Sequence, residues 1–272
     1  MHYALFRYPL MFSYSPLIHQ LMGQQFGLEI QYTQIETPLQ TLKTAIYQFR
    51  QQGGKGANVT MPLKEEAYSI CTQLTPRSTL AQSVNTLFWR GNTLWGDTTD
   101  GIGLVRDITI NHQQSLANKN ILILGAGGAV AGIIGSILEE HPQSVSVFNR
   151  TITRTQALAE RFPIQSVTLE TVNQVGAFDW ILNATPLTAA AELTASLNPT
   201  IFQNAFFYEL TYPKMGTHNI FAEFARSQGA AQVYHGLGML VEQAAESFAI
   251  WHEGLQPQTR KIITLLAQKI GN

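Results

Sequence analysis

Four consecutive aliphatic residues, Ile121-Leu122-Ile123-Leu124, run straight into Gly125-Ala126-Gly127-Gly128-Ala129, and an apolar stretch with helical spacing follows. A short apolar run bounded by glycines reads as a strand buried on both faces, and the stretch after it as a helix packed on that strand. Gly125 permits the tight bend and Gly127 lets the backbone approach phosphates. The following helix aims its free N–H groups at an anion, so the turn can cradle a pyrophosphate. The third glycine of the G-x-G-x-x-G pattern is absent, since Val130 stands there. Residues 121–138 carry no charge and approach the shortest length that spans a bilayer. Glycines at 125, 127, 128, 132 and 135 favour strand, turn and packed helix instead.

The next strand, at 145–148, ends in Asn149-Arg150-Thr151, with Arg154 a short step further. An acidic residue there would accept a hydrogen bond from a ribose hydroxyl and favour NAD. Arginine instead offers a charged fork to the 2′-phosphate of NADP. The plainer alternative is that Arg150 and Arg154 are solvated residues at a helix start.

Apolar runs at 3–8, 30–35, 57–59, 121–124, 145–148, 180–182 and 206–208 alternate with helical patterns at 16–26, 39–51, 129–140, 153–162, 218–227 and 238–251. That alternation predicts a parallel α/β architecture. Pro16 at a first helical turn, with Ser15 before it as cap, marks a helix start. Gly91-Asn92 between 87–90 and 93–96 predicts a hairpin with a two-residue turn. The first lobe ends near that hairpin, and the polar stretch 112–120 leads into a second unit. A chain of 272 residues has room for two lobes with a cleft between them. With 13% charged residues and a formal net charge of -1 there is no basic field for nucleic acid. The lone Cys71 forms no internal disulfide or zinc cluster. No export signal is read at the N-terminus, so a cytoplasmic protein without membrane attachment is expected.

The richest polar cluster precedes the glycine turn. Asn58, Thr60 and Lys64 follow a short strand and the turn Gly53-Gly54-Lys55-Gly56. They therefore stand at a strand's carboxyl end, where ligands of open α/β sheets bind. Ser83-Val84-Asn85-Thr86 and Asp97-Thr98-Thr99-Asp100-Gly101 add an amide and a carboxylate, and Ser13-Tyr14-Ser15-Pro16 adds two hydroxyls. The plain alternatives are a surface lysine at a helix start for Lys64, a helix cap for Asp100, turn or cap hydroxyls for Ser13, Thr60 and Thr185, and a solvated helix face for Gln243. The histidines His2, His19, His112, His141, His218, His235 and His252 show no metal spacing or triad context. Trp89, Trp95, Trp180 and Trp251 read as packing residues, and Met239 as core filler or a cofactor contact.

At these residues the sequence resembles the shikimate/quinate dehydrogenase family over nearly its whole length. Besides the segments above, the resemblance is carried by Asn183-Ala184-Thr185, Tyr208-Glu209-Leu210-Thr211-Tyr212-Pro213 and Gly236-Leu237-Gly238-Met239-Leu240-Val241-Glu242-Gln243-Ala244. It implies two α/β lobes around a cleft, the second a Rossmann-type doubly wound parallel sheet. Residues 1–100 and 237–272 would form the substrate-binding catalytic domain, and 101–236 the NADP-binding domain. The implied reaction is the NADP-dependent, reversible reduction of 3-dehydroshikimate to shikimate, by a monomer or homodimer. Lys64 would polarise the ketone oxygen and relay its proton, with Asp100 holding the lysine. Ser13, Ser15 and Tyr212 would meet the substrate carboxylate. Asn58, Thr60, Asn85 and Gln243 would bind ring hydroxyls or support Lys64. Gly125, Ala126, Gly127, Gly128 and Ala129 would hold the pyrophosphate, Asn149, Arg150, Thr151 and Arg154 the adenosine phosphate, and Thr185, Leu210 and Gly236 the nicotinamide side.

The sequence departs from the family pattern in places. Arg7-Tyr8 stands for Gly-Asn before the first proline, Phe12 for a histidine, Thr98 for an asparagine and Gln82 for a glycine. Ala131 replaces a basic residue, Leu187-Thr188-Ala189 a Gly-Met, and Glu209 an aspartate. Arg7, Tyr8 and Phe12 reshape the site rim, and Ala131 removes a pyrophosphate contact. Two other readings fit the same residues: an enzyme that takes quinate or either cofactor, and a non-catalytic dinucleotide-binding regulator.

Overall fold

Aliphatic and aromatic runs that alternate with amphipathic segments condense here into two six-stranded sheets. They are seen in a computed structural model that describes residues 1–212 and 219–270. The first sheet contains β1 (His2–Arg7), β2 (Gln31–Glu36), β3 (Gly54–Val59), β4 (Gln73–Leu74), β5 (Thr86–Arg90) and β6 (Thr93–Asp97), in the order β2-β1-β3-β5-β6-β4. Strands β1, β2 and β3 run parallel. The hairpin expected around Gly91-Asn92 pairs β5 with β6, Arg90 opposite Thr93, and lies antiparallel to β3. Parallel architecture therefore does not extend across the whole first lobe, because a two-residue turn can only return the chain antiparallel.

The second sheet contains β7 (Asn120–Leu124), β8 (Ser144–Phe148), β9 (Gln165–Val167), β10 (Trp180–Asn183), β11 (Phe206–Glu209) and β12 (Gln232–His235). Its order is β12-β11-β10-β7-β8-β9 and every pairing is parallel. The order reverses between β7 and β10, so the chain leaving β7 at Gly125 stands at the topological switch point where such sheets bind ligands. Residues 121–138 form β7, the turn and helix α6, and among the described residues no helix is long and apolar enough to cross a membrane.

Around the first sheet lie α1 (Ser15–Gln25), α2 (Leu42–Gln51), α3 (Lys64–Ile70) and α4 (Pro76–Ala81). Helix α5 (Asp100–Arg106) and a π-turn at Asp107–Asn111 then lead to the second sheet. That sheet carries α6 (Gly128–Glu139), α7 (Ile152–Ala159), α8 (Leu169–Gln174), α9 (Ala190–Ser196) and α10 (Ile220–Ser227). The helix expected from residue 218 begins at Ile220, and His218 and Pro213 lie outside the described residues. The helix expected from residue 39 begins at Leu42, since Gln40 takes a φ of 68° that no helix continues through. Strands β4, β9 and β12 were not expected from the sequence. They are short edge or near-edge strands without an apolar run.

The last two helices, α11 (Leu237–Trp251) and α12 (Thr259–Ile270), return to the first lobe. Val241, Ala244, Ala245 and Phe248 of α11 join Ile18 and Met22 of α1 and Tyr3 and Leu5 of β1 in one core. Opposite faces of the second sheet bury Ile121, Ile123 and Tyr208 on one side and Leu122, Leu124 and Phe207 on the other. Met239 packs in the former core, as does Trp180.

Ser15 is not the cap of α1. It is the first helical residue behind Tyr14, and Ser13 Oγ accepts its N–H at 3.1 Å.

Candidate active site

Helix α3 starts at Lys64 because Leu63, fully buried, anchors the turn before it and Glu65-Glu66 favour a first turn. The Lys64 ammonium is ion-paired with Asp100 Oδ2, both side chains largely buried at 12% and 8% exposure. Lys64 is thus no solvated helix-start lysine. Nor does Asp100 cap α5, since it is the first helical residue behind Thr99 and makes no capping bond. Its second oxygen accepts from Asn85 Nδ2 at 2.8 Å, and the same amide reaches Gln243 Oε1 at 3.2 Å. Gln243 is buried, with Nε2 donating to Leu240 O at 2.7 Å, so the solvated-face alternative fails.

Asn58 extends this network. Its Nδ2 donates to Ser247 Oγ at 3.0 Å and Asn85 O at 3.2 Å, and its Oδ1 accepts from Tyr32 at 2.8 Å. Tyr32 also approaches Ser15. Ser13 and Ser15 hydroxyls lie 3.1 Å apart, and the Tyr212 phenol approaches Ser13. Burial raises the phenol of Tyr212, while the Arg7 charge and the approach to Ser13 pull the other way. The fold therefore joins Lys64, Asp100, Asn85, Gln243, Asn58, Ser15, Ser13 and Tyr212 in one chain of contacts. Thr60 stands at the end of β3, half-exposed, and its hydroxyl makes no hydrogen bond among the described residues.

Tyr32, Ser247, Thr86 and Thr99 complete the network without having been singled out from the sequence. Thr86 Oγ1 lies 2.8 Å from Ser247 Oγ, and Thr99 N donates to Asn85 Oδ1 at 2.9 Å. Ser247 follows Gln243 by one helical turn, a spacing that places both on one face. Tyr32 carries no such local signal, because only pairing of β1 with both β2 and β3 brings it to Asn58.

Across the cleft, Gly125 takes a φ of +115°, and a Cβ there would stand 3.2 Å from the Ala184 carbonyl. A Cβ on Gly127 would meet nothing within 4 Å, so the turn faces open space. Helix α6 begins behind Gly127 without a side-chain cap, leaving its first N–H groups for an anion. These features fit a dinucleotide pyrophosphate. A Cβ on Gly128 would lie 3.5 Å from Lys64 Cβ, and Ser83 Oγ donates to Gly128 O at 3.0 Å, so the lysine packs against the turn itself.

Beside the turn, a cavity of about 480 Å³ is lined by Gly125, Asn149, Arg150, Thr185 and Glu192. Arg150, highly exposed, reaches Glu192 at 3.3 Å. Arg154 lines a different cavity of about 350 Å³, with Ala126, Gly127, Gly128 and Arg161. Both cavities adjoin the glycine turn, the first at Gly125 and the second at Ala126, Gly127 and Gly128. Asn149 Nδ2 donates to Thr151 O at 3.2 Å, and Thr151 precedes α7 without capping it. Ala129 lies in the first turn of α6. Thr185 Oγ1 donates to Asn183 Oδ1 at 2.7 Å, whose Nδ2 donates to the buried Glu209 at 2.7 Å. Burial raises the Glu209 carboxyl, partly offset by its Asn183 and Thr211 donors. Leu210 and Gly236 adjoin, since a Cβ on Gly236 would stand 2.1 Å from Leu210 O.

Three family descriptions match successive parts of the chain. They are the shikimate dehydrogenase substrate binding domain at residues 5–87, shikimate / quinate 5-dehydrogenase at 107–215, and the shikimate 5'-dehydrogenase C-terminal domain at 236–266. A shikimate dehydrogenase (NADP(+)) of Alkalilimnicola ehrlichii is 40% identical over 97% of both chains. One from Alcanivorax borkumensis is 41% identical over 97% of this chain and 95% of its own. Among solved structures, an Ael1 enzyme from Pseudomonas putida superposes with a TM-score of 0.86 at 35% identity, covering 97% of each chain. The shikimate 5-dehydrogenase of Thermus thermophilus in complex with NADP(H) and shikimate gives 0.84 at 29% identity, covering 99% of each. A lysine and carboxylate packed on a dinucleotide-type glycine turn, with this likeness over both lobes, place the chain in the shikimate dehydrogenase family.

Proposed function

We propose that this chain is an NADP-dependent shikimate dehydrogenase, interconverting 3-dehydroshikimate and shikimate in aromatic amino acid biosynthesis. The observation that carries the reading is the apposition of Lys64 and Gly128. It sets a largely buried ammonium beside the turn where a dinucleotide fits, although the two belong to helices on different sheets. NADPH supplies the hydride when bound.

Residues of the chain supply the rest. The ketone oxygen gains negative charge as hydride arrives, and the Lys64 ammonium stabilises that charge and delivers a proton to it. Asp100 holds the ammonium in place and is itself held by Asn85, so the donor needs no reorganisation during reaction. Lys64 and Asp100 act as one coupled unit for the proton. Ser13, Ser15 and Tyr212 offer neutral donors for the substrate carboxylate, and Asn58, Thr60, Asn85 and Gln243 orient the ring. Thr185, Leu210 and Gly236 line the nicotinamide side, and Asn149, Arg150, Thr151 and Arg154 the adenosine phosphate. Residues 1–100 with 237–272 serve as the substrate lobe and 101–236 as the NADP lobe. A cytoplasmic site of action accords with the names of its dehydrogenase relatives.

The test is reduced-cofactor absorbance with shikimate or quinate and NADP or NAD offered in all four pairings. Fastest turnover with shikimate and NADP is expected. Lys64→Ala should lower kcat about 10²- to 10⁴-fold with its circular dichroism preserved. Cofactor binding with no turnover of either alcohol would refute the enzyme reading, and near-normal turnover of the variant would refute the role of Lys64.

A further inference from the structure

Arg7 closes β1 where the family pattern has glycine. Its guanidinium folds over the loop at 8–12, Nε donating to Pro9 O at 3.3 Å and Nη1 to Met11 O at 3.1 Å. Among the described residues Nη2 makes no hydrogen bond, and no carboxylate lies within 4.0 Å of the group. Glu36, opposite Arg7 across β1 and β2, instead accepts from Leu10 N at 3.1 Å. Half-exposed and without a carboxylate partner among the described residues, this cation is free to meet an anion.

The loop it clasps leads directly into Ser13. Phe12 meets Tyr14 edge-on at 4.7 Å, and Tyr14 lies 5.8 Å from the Tyr212 ring. The phenol of Tyr212 feels the Arg7 charge and approaches Ser13, whose hydroxyl is 3.1 Å from that of Ser15. Two hydroxyls and a phenol thus lie a short step along the chain from a guanidinium held on Met11 O, two residues before Ser13. The first three donate to a carboxylate without opposing its charge, and the guanidinium supplies the opposite charge.

We propose that Arg7 is a substrate-recognition residue, setting an uncompensated cation against the carboxylate that Ser13, Ser15 and Tyr212 bind. This rests on the substrate reading above. It makes recognition of the anionic substituent electrostatic where neutral donors alone would give hydrogen bonds only. The charge is partly exposed, so added salt screens it.

The experiment is steady-state kinetics with shikimate and NADP for wild type, Arg7→Gln, Arg7→Ala and Arg7→Lys, from low to high ionic strength. Glutamine keeps amide donors for the Pro9 and Met11 carbonyls but carries no charge. Arg7→Gln and Arg7→Ala should each raise the KM for shikimate about tenfold, with kcat and the KM for NADP changed by less than about twofold. Both should flatten the salt dependence of kcat/KM, while Arg7→Lys keeps most of it. If Arg7→Gln behaves as wild type and only Arg7→Ala fails, the residue merely fixes the loop and the proposal is overturned. A salt-insensitive wild-type KM, or equal losses toward NADP, overturns it as well. Wild-type turnover is scored first: its absence sinks the substrate reading itself, whereas turnover with an indifferent Arg7 sinks this proposal alone.

Discussion

Acid should weaken this protein through one ring packed against the polar network of the first lobe. His19 is buried at 1% exposure between Tyr32, stacked on it at 4.5 Å, and Trp251 at 5.1 Å. Asn58 approaches the ring, but neither ring nitrogen is hydrogen-bonded in good geometry. Desolvation, with a smaller push from His252, lowers its pKa from 6.5 to about 3. In the unfolded chain the same imidazole takes a proton as pH falls through about 6.5, so the unfolded state binds more protons across the window between. Stability is therefore full above that pH and lost below it, by up to about 1.4 kcal/mol per pH unit until the folded ring also titrates. At pH 5 the loss is roughly 2 kcal/mol, a large part of the 5–15 kcal/mol that holds a typical domain. His19→Leu keeps the volume roughly and removes the proton site. Urea unfolding of both proteins from pH 8 to pH 4.5, read as midpoints at constant m, isolates the effect. His235, also lowered by burial, and Glu209, raised by it, act alike in both proteins and cancel in the difference. The gap between wild type and His19→Leu should close or reverse steadily below about pH 6.5. Parallel stability curves over that range would refute the reasoning, because they would mean that the ring is already solvated in the fold.

Two further predictions concern the second lobe and its link to α11. A Cβ at Gly238 would stand 1.8 Å from Asp107 Oδ1, and Asp107 Oδ2 accepts from the buried Tyr208 hydroxyl at 2.6 Å. Gly238→Ala should destabilise by about 3 kcal/mol, checked by denaturant unfolding, and a loss below about 0.5 kcal/mol would show that α11 yields freely there. Arg150→Ala should raise the KM for NADP far more than that for NAD, and equal changes would remove the argument from the 2′-phosphate.

Much of the fold was legible because local signals and tertiary roles coincide. The aliphatic run at 121–124 is apolar on both faces since β7 is central, flanked by β8 and β10. Gly91-Asn92 specifies its hairpin through the two-residue turn alone. The missed strands had no such coincidence. β4, β9 and β12 are short, and Gln73, Gln165 and Gln232 on them are exposed, so neither alternation nor an apolar run marks them. Helix α12 was missed too, although Ile262, Leu266 and Ile270 line its buried face at four-residue spacing.

The site divides along the same physical line. Lys64, Asp100 and Asn85 stand in compact segments whose turns expose their polar chemistry in the sequence. Tyr32, Ser247 and Thr99 look ordinary until strand pairing and the return of α11 bring them together across as many as 189 residues, as between Asn58 and Ser247. Burial accounts for the departures at the rim, though not for those at Ala131 and Glu209, which are buried. Removing one partner from a buried polar network leaves another donor or acceptor unpaired, at about 1–3 kcal/mol each, whereas an exposed side chain is usually replaced within about 0.5 kcal/mol. Tyr8 and Phe12 are exposed on the loop at the rim, and Arg7, at the end of β1 before it, is half-exposed. Asn58, Asn85, Asp100 and Gln243 are buried and keep the family's residue types. Thr98 tests the rule from inside. Nearly buried at 3% exposure, it stands where the pattern has asparagine, and its hydroxyl has no hydrogen-bond partner. It lies beside Asp97, not on the chain of contacts from Lys64 to Tyr212, so its unpaired oxygen costs stability without disturbing that network.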